Sequence, residues 1–147
     1  GGAQIAAGAA WYLAALGMDV RVLSMAGILS SDPGLDRAKQ IWHLRGAADR
    51  VQAVGNVLFP RRWPVFRNSE WNRARRDGRL RVITIPLLRH TGPGGYFAAA
   101  PLLPDGRKPC QTAADSILAV LVAAGLATDN SAAGPGRTRT GRPQPEP

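Results

Sequence analysis

Two stretches carry the residues best suited to chemistry. Arg81 to Phe97, RVITIPLLRHTGPGGYF, is an apolar β-branched run that stops at Arg89-His90 and breaks into a glycine-rich loop. An imidazole titrates near neutral pH, so His90 at the end of a buried strand can take up a proton and return it. Upstream, Lys39 to Leu44 ends in Arg45-Gly46-Ala47-Ala48-Asp49. A carboxylate just past one strand end and an imidazole just past the next make a base and the group that orients it. Asp49 is also well placed to cap a following helix. His43, alternating within its strand between Trp42 and Leu44, reads as a packed, hydrogen-bonded core histidine. Asp36 reads as first-turn helix charge, and Cys110, with no neighbouring base, as inert. Trp63, Trp71, Tyr96 and Phe97 fit either core packing or the wall of an acyl or alcohol pocket.

The elements that must position Asp49 and His90 follow from periodicity and breakers. Gly1 to Leu16 is alanine-rich, with Ile5, Ala9, Tyr12, Leu13 and Leu16 near helical spacing and Gly17 as a stop. Small residues at Gly2, Ala3, Ala6 and Ala7 would let this helix press closely on a sheet. Asp19 to Met25 is dense in Val and Leu, as a strand buried on both faces should be. Asp32-Pro33 then caps and begins a short helix, Leu35 to Ala38. Lys39 to Leu44 is the second strand, and Ala47 to Val54 holds a helical turn beyond Asp49. Gly55 to Arg67 reads as irregular. Asn68 or Ser69 caps a helix to about Arg76, which Asp77-Gly78 ends. Arg81 to Ile85 is the third strand. Ala98 to Pro109, with prolines at 101, 104 and 109, is connector, and Thr112 caps a last helix, Ala113 to Leu126, whose apolar face is Ile117, Leu118, Leu121 and Val122.

The chain of 147 residues is 45% hydrophobic, enough for one domain with a sizeable core. No signal-peptide pattern opens it, and the apolar run Ala3 to Leu16 is shorter than the ~20 residues a membrane span needs. One cysteine can form neither an internal disulfide nor a zinc knuckle. The net charge of +9 is local: Arg37 to Arg81 holds twelve basic residues against Asp49, Glu70 and Asp77, and the rest of the chain balances. Residues 127–147 lack large apolar side chains and are expected to be a disordered Gly/Pro/Arg-rich tail.

Helix, strand, helix, strand with a following Asp, strand with a following His, and a terminal helix: this order over Gly1 to Leu126 resembles the C-terminal half of an α/β-hydrolase. In that family the triad runs nucleophile, acid, histidine, with the nucleophile in a G-x-S-x-G elbow between a strand and a helix. Gly1-Gly2 before an alanine-rich helix is similar to the close of such an elbow, with the serine two positions before Gly1. The resemblance implies an α/β fold with a partial parallel sheet of about three strands and flanking helices. Residues 1–126 are then the C-terminal part of the domain. It implies His90 as general base, Asp49 as its orienter, and neither cofactor nor metal. Ser24, Ser30, Ser31, Ser69, Ser116 and Ser131 all lie outside a G-x-S-x-G setting, so the isolated chain is expected to be inactive.

Two functions follow. One is a serine-type hydrolase of ester, thioester or related acyl bonds on a small-molecule substrate, cytoplasmic, with Gly55 to Arg79 as a cover over the pocket and its arginines facing an anionic substrate group. The other is a non-enzymatic basic module for nucleic acid or an acidic partner, in which Arg61, Arg62, Arg73, Arg75 and Arg76 share one exposed face. The hydrolase reading requires the Asp49 and His90 side chains to meet within hydrogen-bond reach.

Overall fold

The computed structural model describes residues 2–128; the tail expected over 127–147 lies, from Asp129 onward, outside the described residues. Three parallel strands, β1 (Arg21–Met25), β2 (Gln40–Gly46) and β3 (Leu80–Ile85), form one sheet in that order. Around them run α1 (Gly2–Ala15), α2 (Gly34–Arg37), α3 (Arg50–Leu58), a 3-10 turn at Pro60–Arg62, α4 (Glu70–Arg76) and α5 (Pro109–Ala123). The fold is α/β, as expected, with helices flanking the sheet.

β2 is the centre of the molecule. Its Ile41, Trp42, His43, Leu44 and Gly46 are all buried, which a strand paired on both edges and covered on both faces requires. Ile41 on one face joins Val22, Leu80, Leu35, Trp71 and Ala74 with Ala3, Ala7 and Ala10 of α1. Trp42 and Leu44 on the other face join Ile85, Leu88, Tyr96, Leu103 and Ala113 of α5. β1 and β3 are edge strands, and correspondingly only part of each is buried.

In α1 the small residues Ala3 and Ala7 face inward, as expected, together with Ala10, while Ile5 and Tyr12 and, just past the helix, Leu16 are 74%, 60% and 63% exposed. Close approach decides this. A β-carbon at Gly34 would lie 1.9 Å from the Ala7 carbonyl oxygen, and one at Gly27 2.6 Å from the Ala3 side chain, leaving no room for a large side chain. Several local expectations are corrected. β2 runs on to Gly46 because its partner continues alongside it, pairing Arg45 with Thr84 and Gly46 with Ile85. α3 extends through Gly55, where a β-carbon would meet the Ile28 side chain at 2.7 Å; this glycine serves close packing rather than a break. Pro33, not Asp32, holds the position before α2, and Asp32 accepts the Gly34 amide at 2.8 Å. Ser69 caps α4 as read. α5 starts earlier, with Pro109 in its first turn, so Thr112 lies inside the helix and its hydroxyl bonds back to the Lys108 carbonyl. Its packed side is Ala113, Ile117 and Val120, and Leu118 is exposed. Among the described residues, no helix is long and apolar enough to cross a membrane.

Candidate active site

The ends of β2 and β3 are tied together before the chain reaches Asp49 after one and His90 after the other. The Ala47 amide donates to the Ile85 carbonyl at 2.8 Å and the Ala48 amide to the Leu88 carbonyl at 3.1 Å. Gly46 makes this possible, since a β-carbon there would stand 2.1 Å from the Leu88 oxygen. Asp49 then begins α3. Its Oδ1 accepts the Gln52 amide at 3.2 Å, so the capping role and the orienting role fall on different oxygens of one carboxylate.

After β3 the chain turns through Leu87, whose φ of +66° is uncommon for a branched side chain. His90 follows at the mouth of the glycine loop. Gly92 and Gly94 take positive φ, and the Arg89 amide reaches the Gly94 carbonyl at 2.8 Å, so the chain folds straight back on itself. This reversal sends His90 outward and Tyr96 inward, with their rings edge-on at 6.5 Å.

Oδ2 of Asp49 is the meeting point. His90 Nδ1 lies 3.1 Å from it, and the Tyr96 hydroxyl donates to it at 2.8 Å. The Tyr96 hydroxyl in turn accepts the Gly46 amide. Asp49's side chain is wholly buried and His90's is 31% exposed. Burial, joined by the hydrogen bond to Asp49, pushes the Tyr96 phenol above its ordinary range, so it remains a donor. The carboxylate therefore has three partners, two of them independent of His90. With Nδ1 directed to Asp49, Nε2 is the nitrogen left to meet a reacting group.

His90, Asp49, Ala47, Ala48, Arg50, Val51, Ala53, Arg89 and Thr91 border an open cleft of about 690 Å³. No serine or cysteine is among them. Cys110 is the second residue of α5, its amide bonded to the Ala98 carbonyl. A second cleft of about 590 Å³, between the strands and α5, is lined by Arg21, Lys39, Trp42 and Arg81 and holds neither a carboxylate nor an imidazole. Among the described residues, no group of three or more His, Cys, Asp or Glu is arranged to hold a metal ion.

His43 is packed, as its alternation implied, but only half of its hydrogen-bonding capacity is met. Nδ1 lies 3.3 Å from the Ser24 hydroxyl and the ring meets Trp71 edge-on, whereas buried Nε2 has no partner among the described residues. Burial, then the nearby Arg62 charge, lowers its pKa to about 4. The five arginines expected on one exposed face are divided. Arg61 pairs with Glu70 at 2.9 Å, Arg73 pairs with Asp36, and Arg62 is buried with its guanidinium 4.0 Å from the centre of the Trp71 ring. Tyr96 is the site residue whose role the sequence did not disclose. The cue was the three glycines between it and His90, Gly92, Gly94 and Gly95, which return the chain toward the strand end.

No protein-family model matches the chain, and no curated protein or solved structure is significantly similar to it. The fold defines a small α/β domain with a three-stranded parallel sheet.

Proposed function

We propose that this chain supplies the acid and the base of a serine-type hydrolase of ester, thioester or related acyl bonds, built like the C-terminal half of an α/β-hydrolase. The observation that carries this reading is the 3.1 Å contact between Asp49 and His90 at the carboxyl ends of adjacent parallel strands, where open α/β sheets place their chemistry. The outward Ile5 and Tyr12 of α1, with Leu16 just past it, and the free edge of β1 give it secondary support, since further sheet and helix could pack there.

In this mechanism a hydroxyl nucleophile from outside the 147 residues attacks the acyl carbonyl as its proton passes to His90 Nε2. The buried Asp49 carboxylate stabilises the imidazolium, and Tyr96 and the α3 cap keep that carboxylate from turning. Collapse of the tetrahedral intermediate expels the alcohol or thiol, which takes the proton from Nε2. Water repeats the cycle on the acyl group. Among the described residues bordering the cleft there is the proton-handling pair and no serine or cysteine.

The test is an aryl-ester assay on the protein encoded by the complete reading frame that includes these residues. His90→Ala is expected to lower kcat by about 10⁶-fold and Asp49→Asn by about 10⁴-fold, with the isolated chain inactive. A frame lacking G-x-S-x immediately before Gly1, or an unchanged rate in His90→Ala, would overturn the reading.

A further inference from the structure

A different cavity, sharing no residue with the Asp49–His90 cleft, lies where the 3-10 turn and α4 meet β2 and β3. It measures about 320 Å³ and is lined by Arg45, Arg62 and Arg75, by Trp63 and Trp71, and by Asn56, Pro64 and Val82. Three guanidinium groups border it and no carboxylate does. Nearby cations are already matched: Arg61 by Glu70, Arg73 by Asp36, and Arg79 by Asp77 at 3.1 Å. Arg62 and Arg75 belong to none of the ion pairs among the described residues.

Arg62 is the unusual member. It is only 8% exposed, and its Nε and Nη1 are buried without a partner among the described residues. Its guanidinium lies over Trp71 at 4.0 Å, a contact that positions the cation while leaving its N–H donors unspent. Burial, followed by the charges of Arg45 and Arg75, lowers its pKa to about 10. A buried cation facing two more cations is costly unless an anion joins them. Arg45 is held toward this place by a 3.2 Å bond from its Nε to Thr84, and Trp63 is anchored by its indole N–H on the Asn56 carbonyl at 2.6 Å. Arg45 and Trp63 are thus tethered, while Arg75 stands on the exposed side of α4.

We propose that Arg45, Arg62 and Arg75 form a binding site for a doubly charged tetrahedral oxyanion, either inorganic phosphate or the phosphate of a phosphomonoester. Three fork-shaped donors suit the several oxygens of such a group, and a dianion balances them better than a carboxylate does. Trp63, which is 44% exposed, forms the wall that an organic substituent on the phosphate would meet. The site stands whether or not the chain belongs to a hydrolase.

The test uses the whole 147-residue chain at constant ionic strength, with tryptophan fluorescence and thermal melting followed against inorganic phosphate, phenyl phosphate and acetate. A saturable response to phosphate with a rising Tm is expected, and acetate should give none at the same concentration. Arg75→Gln and Arg45→Gln should each weaken phosphate binding by about tenfold or more, whereas Arg81→Gln, in the other cleft, should leave it unchanged. Tighter binding of phenyl phosphate assigns the site to a phosphomonoester, and equal binding to phosphate itself. A response that chloride or acetate reproduces, or wild-type affinity in folded Arg75→Gln and Arg45→Gln, would overturn the proposal and leave the Arg62 donors to buried water.

Discussion

The two polar regions fed by β2 differ in how completely their atoms are satisfied. Beyond the end of the strand, the Asp49 carboxylate accepts from Gln52, His90 and Tyr96, and the Tyr96 hydroxyl accepts from Gly46. Within the strand, on the opposite face from Trp42 and Leu44, His43 belongs to a group in which its own Nε2, Gln52 Oε1 and two nitrogens of Arg62 are buried without partners. The first arrangement fixes a charge and leaves one imidazole nitrogen for work. The second leaves buried polar atoms without close partners, with His43 and Gln52 near enough for each to serve the other and the Arg62 nitrogens the most isolated.

The sharpest way to break the first region is Gly46→Ala. Its β-carbon would lie 2.1 Å from the Leu88 oxygen, and the clash falls on backbone, so a loss of about 3 kcal/mol is expected. Urea unfolding measures it, and the His90 ring resonances should shift as the loop moves. A change below a few tenths of a kcal/mol would show that the strand ends are not tied as described.

The second region should reveal itself through pH. His43 has a folded pKa of about 4 against an ordinary 6.5, so between those values the unfolded chain binds the extra proton. Its contribution is whole above pH 6.5, is lost as the pH falls from 6.5 to 4, and is constant below that. The total is about 3 kcal/mol. Denaturant melts across this range should show the decline, and His43→Gln should flatten it by about one proton. An unaltered slope in that variant would assign the decline to other groups.

Tyr96→Phe compares the regions most directly, because it gives the closed network an orphan of its own. The Gly46 amide loses its acceptor and Asp49 one donor, at a cost of about 2 kcal/mol. The Asp49–His90 contact should survive through the α3 cap, seen as a retained His90 Nδ1–H signal by NMR. Loss of that signal would make Tyr96 the principal support of the carboxylate.

Much of this architecture was legible without coordinates. The β-branched runs, the Gly17 and Gly78 stops and the Ser69 cap are local signals, and local sterics and hydrogen bonding suffice to produce them. The placement of Asp49 and His90 past successive strand ends was legible for the same reason: a parallel sheet brings such ends to one side. The close approach of α1 through Ala3 and Ala7 was legible in its small residues, and Ala10 joins them. What was not legible is that Ile5 and Tyr12, at helical spacing, stay exposed because the backbone of α2 approaches too closely for anything larger than alanine. Thr112 was misread as the cap because Pro109 is an equally good first-turn residue, and the helix begins there.

Composition and periodicity by themselves determined the α/β class, the strands and the two chemically suited residues, since each depends on neighbours close along the chain. Tertiary structure alone decided that Tyr96 reaches Asp49, that Arg62 is buried over Trp71, and that three arginines border one cavity. These contacts join residues from separate elements, and their distances depend on how closely the backbones pass, which no stretch of sequence encodes locally.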